Sequence, residues 1–228
     1  MGNVQQLYRV RRKTAPLNEE ISEFKRRRIK ETAWHMFYCN GYQATTIDAL
    51  AKKLDVAMQI IYSYFKNKTE LLYEIWQTEI SLSLSAIELI QKRPNTSTEK
   101  LKLAVDDVVR IVVNHQEYIV VCEREEKNLD AHLSHTIRKQ RSLFHQRICA
   151  ILHSDCKAGE FAIRNPTMTA TTITGMMTWV AFWYSPYGRW SEAEITGHVM
   201  DMIMAVVFDR GHLSETVSMN HRGQYLHA

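Results

Sequence analysis

Three features of this 228-residue chain predict an all-α fold in two parts. Apolar residues recur at helical spacing almost throughout, a short helix pair sits between Thr45 and Lys68, and no stretch alternates apolar and polar as a strand does. The smaller part is a three-helix unit over residues 19–68, preceded by a basic arm at 1–18. The larger is a helical domain over 69–211, followed by a flexible tail at 212–228.

The first helix begins near Asn18 and runs to about Cys39. Ile29, Ala33, Met36 and Phe37 form its inward stripe, and Asn40-Gly41 stops it. The run Lys25 to Arg28 reads as a solvated face, or as one that brings a side chain or two to phosphate. Ile47, Leu50, Ala51 and Leu54 then fall at i, i+3, i+4 and i+7. Thr45 or Thr46 supplies a capping hydroxyl, and Asp48 suits the positive first turn. After a break at Asp55-Val56, a second short helix points Ile60, Ile61, Tyr64 and Phe65 inward. Met58, Gln59, Tyr62 and Ser63 are left facing out, with Lys66 and Lys68 just beyond. Two short helices on a tight turn, the second with a polar-aromatic outer face, form a helix-turn-helix. An ordinary helical hairpin is the plainer alternative.

Asn67 caps a long helix to about Lys92, with Glu70 in its first turn, and Pro94 to Ser97 is a linker. Helices follow over residues 98–115 and 117–129, then from Asp130 or Ser134 to Ala158, closed by Gly159. Asn165-Pro166 is a cap and a first-turn proline for a helix to about Tyr184. Ser191 and Glu194 form a capping box for the last helix, which ends near Arg210-Gly211. These last two helices are apolar on a broad face, and pairing with a second copy as a four-helix bundle buries it. The seam candidates are Ile173, Val180, Tyr184, Ile195, Val199, Met202, Ile203 and Val206; the alternative is that they serve only the core of one protomer.

Hydrophobic residues make up 45% of the chain and charged ones 24%, a globular balance. No apolar run reaches the ~18–20 residues that span a bilayer, and the amino terminus lacks the order of a signal peptide, so a cytoplasmic protein is expected. The four cysteines (Cys39, Cys122, Cys149, Cys156) are scattered, as reduced thiols are. Net charge is only +4, but residues 1–68 hold 13 Lys and Arg against 6 acids, a balance of +7 that leaves −3 elsewhere. A basic head on a slightly acidic body suits an object that sets one end on phosphates. Arg9, Arg11, Arg12 and Lys13 make residues 1–18 either an arm along the duplex backbone or minor groove, or an idle tail.

His132 and His135 have metal-compatible spacing near Glu126 and Asp130, but no convincing third ligand joins them, and no metal is expected. No Ser-His-Asp set, carboxylate pair or glycine-rich phosphate loop stands out, so no catalysis is expected.

From Arg28 to Leu72 the chain resembles the amino-terminal domain of the TetR family of bacterial repressors. The matching positions are Ala33, Phe37, Gly41-Tyr42, Thr45-Thr46, Ile47, Ala51, Val56, the run Tyr62-Ser63-Tyr64-Phe65-Lys66-Asn67-Lys68, and Leu71-Leu72. Asp55 stands where the family usually has Gly, and Ala57 where it usually has a capping Ser or Thr. The resemblance implies a helix-turn-helix DNA-binding domain joined to a helical ligand-binding and dimerisation domain. It implies a homodimer on a palindromic operator, released by an effector, with no cofactor. Thr45, Tyr62, Tyr64, Lys66 and Lys68 would hold phosphates, Thr46 would be a further DNA contact, and Met58, Gln59 and Ser63 would face base edges, where Gln reads adenine through two hydrogen bonds. An activator with the same head is an alternative, as is a helical carrier or enzyme with an incidental basic head.

Three segments, Cys122 to Leu129, Lys157 to Phe161 and Trp179 to Gly188, resemble a narrower branch that responds to coenzyme A thioesters of fatty, steroid-derived or aromatic acids. The Glu123-Arg124 pair and the Trp-Tyr-x-Pro-x-Gly run from Trp183 carry this likeness, with Ser185 where the branch has Arg. Such a ligand wants an apolar slot and cations. Trp76, Tyr118, Phe144, Met176, Trp179 and Trp183 are the slot candidates, and Arg124, Arg138, Lys139 and Arg141 the cations. Plain core and solvated helix faces are the alternatives, and a free hydrophobic molecule is the alternative effector.

Overall fold

The computed structural model describes residues 17–156, 159 and 161–208, with backbone only for Asp155 and Cys156. The arm residues Arg9, Arg11, Arg12 and Lys13, the segment ends at Lys157, Ala158, Glu160 and Arg210-Gly211, the tail at 212–228 and the Cys156 thiol lie outside the described residues. All regular structure among the described residues is helical. In chain order it comprises α1 (Leu17–Asn40), α2 (Ile47–Leu54), α3 (Met58–Tyr64), α4 (Lys68–Gln91), α5 (Ser97–Asn114), α6 (Gln116–Glu125), a 3-10 turn (Glu126–Asn128), α7 (Ala131–Cys156), α8 (Pro166–Trp183) and α9 (Glu192–Phe208).

Local chemistry sets most of the boundaries. The Thr46 hydroxyl accepts from the Ala49 N–H at 3.0 Å to start α2, and Asn67 accepts from Glu70 at 2.8 Å to start α4. Asn165 accepts from Met168 at 3.0 Å with Pro166 in the first turn of α8, and Ser191 exchanges hydrogen bonds with Glu194 ahead of α9. Thr96 and Glu99 form a second full capping box at α5, which therefore starts one residue before the expected Thr98. α2 stops on Asp55, whose φ of 54° and ψ of 49° are left-handed. Val56 N–H reaches Ala51 O and Asp55 N–H reaches Lys52 O, the paired bonds of a Schellman stop. Asp can adopt this conformation where most residues resist it, so the helix pair keeps its turn without glycine.

Two apolar clusters fill the molecule. The head cluster joins Ile29, Ala33 and Phe37 of α1 to Leu50, Ile61, Phe65, Leu71, Leu72, Ile75 and Trp76, and runs on into Val121, Cys122 and Ile137. The body cluster gathers α4 through α9 around Val105, Val109, Ile148, Leu152, Ile173, Met177, Val180 and Ile203. α4 belongs to both, and Ile80 packs against each. Head and body are therefore linked through one continuous helix. No described helix is long and apolar enough to cross a membrane.

Candidate nucleic-acid interface and effector region

α3 has seven residues and one inward line, Ile61, Tyr64 and Phe65, of which Ile61 and Phe65 are fully buried. Its outer side presents Met58, Gln59, Tyr62 and Ser63, all exposed, flanked by exposed Val56 and by Lys52, Lys53 and Lys66. Ile60 departs from the sequence reading, which points it inward. It is 41% exposed, because it sits about 100° round a narrow helix from Ile61. Ala57 makes no side-chain cap, so α3 starts on backbone geometry alone. The Ser63 hydroxyl donates to Ile60 O at 2.7 Å, which leaves its lone pairs outward.

Two of the expected phosphate holders are turned inward. Thr45 is 2% exposed, and its hydroxyl lies 2.9 Å from Gly41 O and 3.2 Å from Met36 O. Lys68 donates to Tyr42 O at 2.8 Å and to Thr45 O at 2.9 Å, with its ammonium 4.2 Å from the Tyr42 ring centroid. Both side chains close the loop between α1 and α2. A loop with three inward carbonyls needs donors, and these two supply them. Thr46, Tyr62 and Lys66 remain on the surface, while Tyr64 is half-buried.

The head is tied to the body by polar pairs that no motif announced. Arg26 grips Glu74 with two nitrogens and lies 4.8 Å over the Phe65 ring. Lys30 donates to Thr78 at 2.9 Å, and burial lowers its pKa. Trp34 packs against Tyr118 at 4.3 Å, His35 faces Glu117 at 3.7 Å, and Gln43 donates to Asn128 at 2.6 Å. Within the run Lys25 to Arg28, Arg26 is thus taken up by the body, while Lys25, Arg27 and Arg28 are exposed, the last two near Glu31.

Inside the junction, Glu79 of α4 is only 8% exposed. His115 Nδ1 lies 3.3 Å from Glu79 Oε1, and neither carboxylate oxygen has a hydrogen-bond partner among the described residues. Glu79 raises the His115 pKa, against the lowering effect of burial. His115 forms the corner between α5 and α6, so this pair holds α4 to that corner. A signal was present: Glu79 falls in register with Leu72, Ile75 and Trp76 on an otherwise apolar stripe.

The expected effector residues do not line one slot. Trp76 is buried in the head cluster and Tyr118 packs against it, whereas Phe144 and Met176 belong to the body cluster. Trp179 is 62% exposed and Trp183 is exposed beside it. Trp179 stacks on Phe182 at 4.8 Å and Trp183 meets Trp190 edge-on at 6.5 Å, outside the core. Arg141 is not a free cation either. It pairs with Glu126 at 2.7 Å and with Glu123, and lies 5.3 Å over the Trp76 ring. Arg124, Arg138 and Lys139 stay exposed. A cavity of about 100 Å³ lies between Trp183, Tyr184, Ser185, Gly188, Arg189, Trp190 and Ile195, well short of the ~300–1,000 Å³ of drug-sized sites.

The seam candidates divide in the same way. Ile173, Val180, Ile195, Val199 and Ile203 are buried in the protomer's own core, and Tyr184 is half-buried against it. The five buried side chains are spent on the protomer's own core. Met202 and Val206 are exposed, and with Met168, Trp179, Phe182 and Trp183 they form an apolar outer face on α8 and α9. Helices apolar on both sides conceal which side faces in.

A helix pair with an outward second helix, set on a helical body, defines the helix-turn-helix regulators. The family model described as "Bacterial regulatory proteins, tetR family" matches residues 29–75, and "Tetracyclin repressor-like, C-terminal domain" matches residues 94–207. The chain belongs to the tetR family. It is 24% identical over 98 residues to an HTH-type transcriptional regulator of Staphylococcus aureus (strain MRSA252), covering 43% of this chain and 53% of that relative. The chain thus spans about half the length of that relative. Among solved structures, the TetR family regulator PfmR from Thermus thermophilus superposes with a TM-score of 0.72 at 24% identity, over 77% of this chain and 96% of that one. AibR in complex with isovaleryl coenzyme A and operator DNA superposes with a TM-score of 0.70 at 20% identity, over 80% and 97%. At such identities the likeness shows the fold.

Proposed function

We propose that this chain is a transcriptional repressor that binds a palindromic DNA operator as a homodimer and is released by a hydrophobic effector. The outer face of α3 carries the proposal: Met58, Gln59, Tyr62 and Ser63 are exposed together on a basic head. Met58, Gln59 and Ser63 meet base edges, while Thr46, Tyr62 and Lys66 hold phosphates. The outer apolar face of α8 and α9 joins two copies, setting the heads ~34–36 Å apart for successive major grooves. The protein works in the cytoplasm.

The effector is a coenzyme A thioester of a fatty, steroid-derived or aromatic acid. Support comes from the Glu123-Arg124 and Trp183 to Gly188 segments, and from AibR, a likeness in fold crystallised with isovaleryl coenzyme A. Arg124, Arg138 and Lys139 are the exposed cations for its phosphates. Ligand entry displaces α4, which belongs to both clusters, and moves the head with it. A gel shift with DNA from upstream of the gene tests the reading. The expected result is a retarded band that isovaleryl or long-chain acyl coenzyme A abolishes. Release by free acids alone would favour a free hydrophobic effector. Failure to bind any duplex at low ionic strength would favour a carrier or enzyme.

A further inference from the structure

Glu79 stands on α4, a helix that packs in both the head and the body cluster. Its side chain is buried, and the imidazole of His115 faces it, with 31% of that side chain in solvent. Protons therefore reach the imidazole while the carboxylate stays out of bulk water. A buried carboxylate needs a cation or a full set of donors. Neither oxygen has a donor among the described residues, so the protonated imidazole at 3.3 Å is the contact that balances its charge.

His115 is also where the body is pinned. Asn114 Nδ2 donates to Glu192 at the start of α9 at 3.2 Å. Gln116 Nε2 donates to Ala181 O at 2.9 Å and to Tyr184 O at 2.6 Å, at the end of α8. The corner is thus fastened to both helices proposed to join the two copies, and the residue between these anchors faces α4. α4 in turn carries the head, since Arg26 grips Glu74 and Lys30 donates to Thr78. Glu74, Thr78 and Glu79 fall within about a turn and a half of one another.

The other charged and titratable groups around the pair do not replace the imidazole. Burial lowers the pKa of Lys30 on α1 more than Glu79 raises it, and its ammonium is spent on Thr78. The Cys122 thiol of α6 is pushed well up, by burial first and then by Glu79, so it stays uncharged. The Tyr118 ring of α6 lies 6.0 Å from the imidazole and packs on Trp34 of α1. Arg141 of α7 is taken up by Glu123 and Glu126. Glu117 of α6 faces His35 of α1 at 3.7 Å, and Arg110 of α5 pairs with Glu192 of α9 at 2.7 Å. His115 is left as the group in contact with Glu79 whose charge changes near neutral pH.

We propose that His115 and Glu79 form a proton-dependent latch between α4 and the α8–α9 end of the body, so that losing the His115 proton loosens the head and weakens DNA binding. The proposal rests on the reading of the chain as a DNA-binding dimer. Heads held at one angle can meet successive major grooves together, whereas heads free to swing lose that freedom on binding. Glu79 raises the His115 pKa above its ordinary 6.5, so the latch is complete in mild acid and opens as pH rises through the raised value. A carboxylate left buried without its cation draws water, and α4 is the element that gives way.

Binding isotherms on duplex from upstream of the gene, at about pH 6 and about pH 8.5 and one ionic strength, test this. The wild type should lose about fivefold in affinity between the two. His115→Gln and Glu79→Gln should each bind equally at both, within about twofold. His115→Lys, a cation at either pH, should be as flat and keep the wild-type affinity of mild acid. His35→Gln should retain the full pH dependence, because the second imidazole of the junction lies outside the latch. A wild-type affinity that is flat or rises with pH, persistence of the dependence in His115→Gln, or its loss in His35→Gln would each overturn the proposal. Nuclear magnetic resonance reads the latch without DNA. The His115 ring and the Trp34 indole N–H, which is buried beside Tyr118, should shift with one midpoint above pH 6.5. In Glu79→Gln the His115 midpoint should fall and the Trp34 shift should vanish. A Trp34 resonance that ignores His115 overturns the proposal as well. Should no duplex be bound at either pH, the proposed function fails, and resonance alone decides whether the latch exists.

Discussion

The ammonium of Lys68 reaches the carbonyl oxygens of Tyr42 and Thr45, and burial lowers its pKa despite the nearby Glu125. A side chain that serves its own loop has a different mutational signature from one that serves phosphate. Lys68→Met should lower the unfolding free energy by about 1–2 kcal/mol, since two carbonyls lose a charged donor at a partly exposed site. Its salt slope on DNA should match the wild type at any affinity. Lys66→Ala should do the reverse, leaving the thermal midpoint unchanged and reducing the salt slope by about one. A stable Lys68→Met with a reduced slope would place that ammonium on phosphate after all. Asp55 makes a second residue-scale case. At φ 54° it holds a conformation that favours glycine, and it is exposed. Asp55→Gly should therefore stabilise the head by about 0.5–1 kcal/mol, read from chemical denaturation. A loss of stability would mean that the Asp55 carboxylate contributes more than its backbone strain costs.

At the scale of single helices, much of the architecture was legible from caps and spacing, because both depend on nearby residues. Asn165-Pro166 and Ser191-x-x-Glu194 located two helix starts, and Thr96-x-x-Glu99 is a third signal of the same kind. The outward side of α3 was legible too, apart from Ile60, which a seven-residue helix has no room to bury. The inner and outer sides of α8 and α9 were not, because Trp179 and Phe182 are as apolar as Ile173 and Val180. Only the fold settles which side meets α5. Tertiary partners such as Lys68 with Tyr42, or Arg141 with Glu123 and Glu126, were equally out of reach. The corner between α5 and α6 yields a prediction of its own. The His115 pKa is raised above its ordinary 6.5 by Glu79. The stability this pair contributes is fully present below pH 6.5 and is lost as pH rises through the raised value. Unfolding curves of wild type and His115→Gln should therefore differ most in mild acid and converge at alkaline pH. A constant offset across that range would mean the imidazole acts by packing alone.

At the scale of the whole molecule, the outer face of α8 and α9 is a broad apolar area that the protomer leaves open. Met168, Trp179, Phe182, Trp183, Met202 and Val206 share it, and a monomer in water has no use for such a surface. Covering it with the same face of a second copy is the symmetric solution, and it also fixes the distance between the two heads. Trp179→Glu and Met202→Glu test this without disturbing the core, since 62% and 49% of these side chains already lie in solvent. The double variant should fold with a helical spectrum and a thermal midpoint little changed, and it should sediment as a monomer. Its affinity for a palindromic site should fall by several orders of magnitude, because two linked heads become two independent ones. Binding to a single half-site should stay near wild type. Ile203→Glu is the contrasting control: it places a charge in the body core and should unfold the protein outright. A double variant that remains a dimer would move the seam to another surface and remove the geometric basis for two heads in successive grooves.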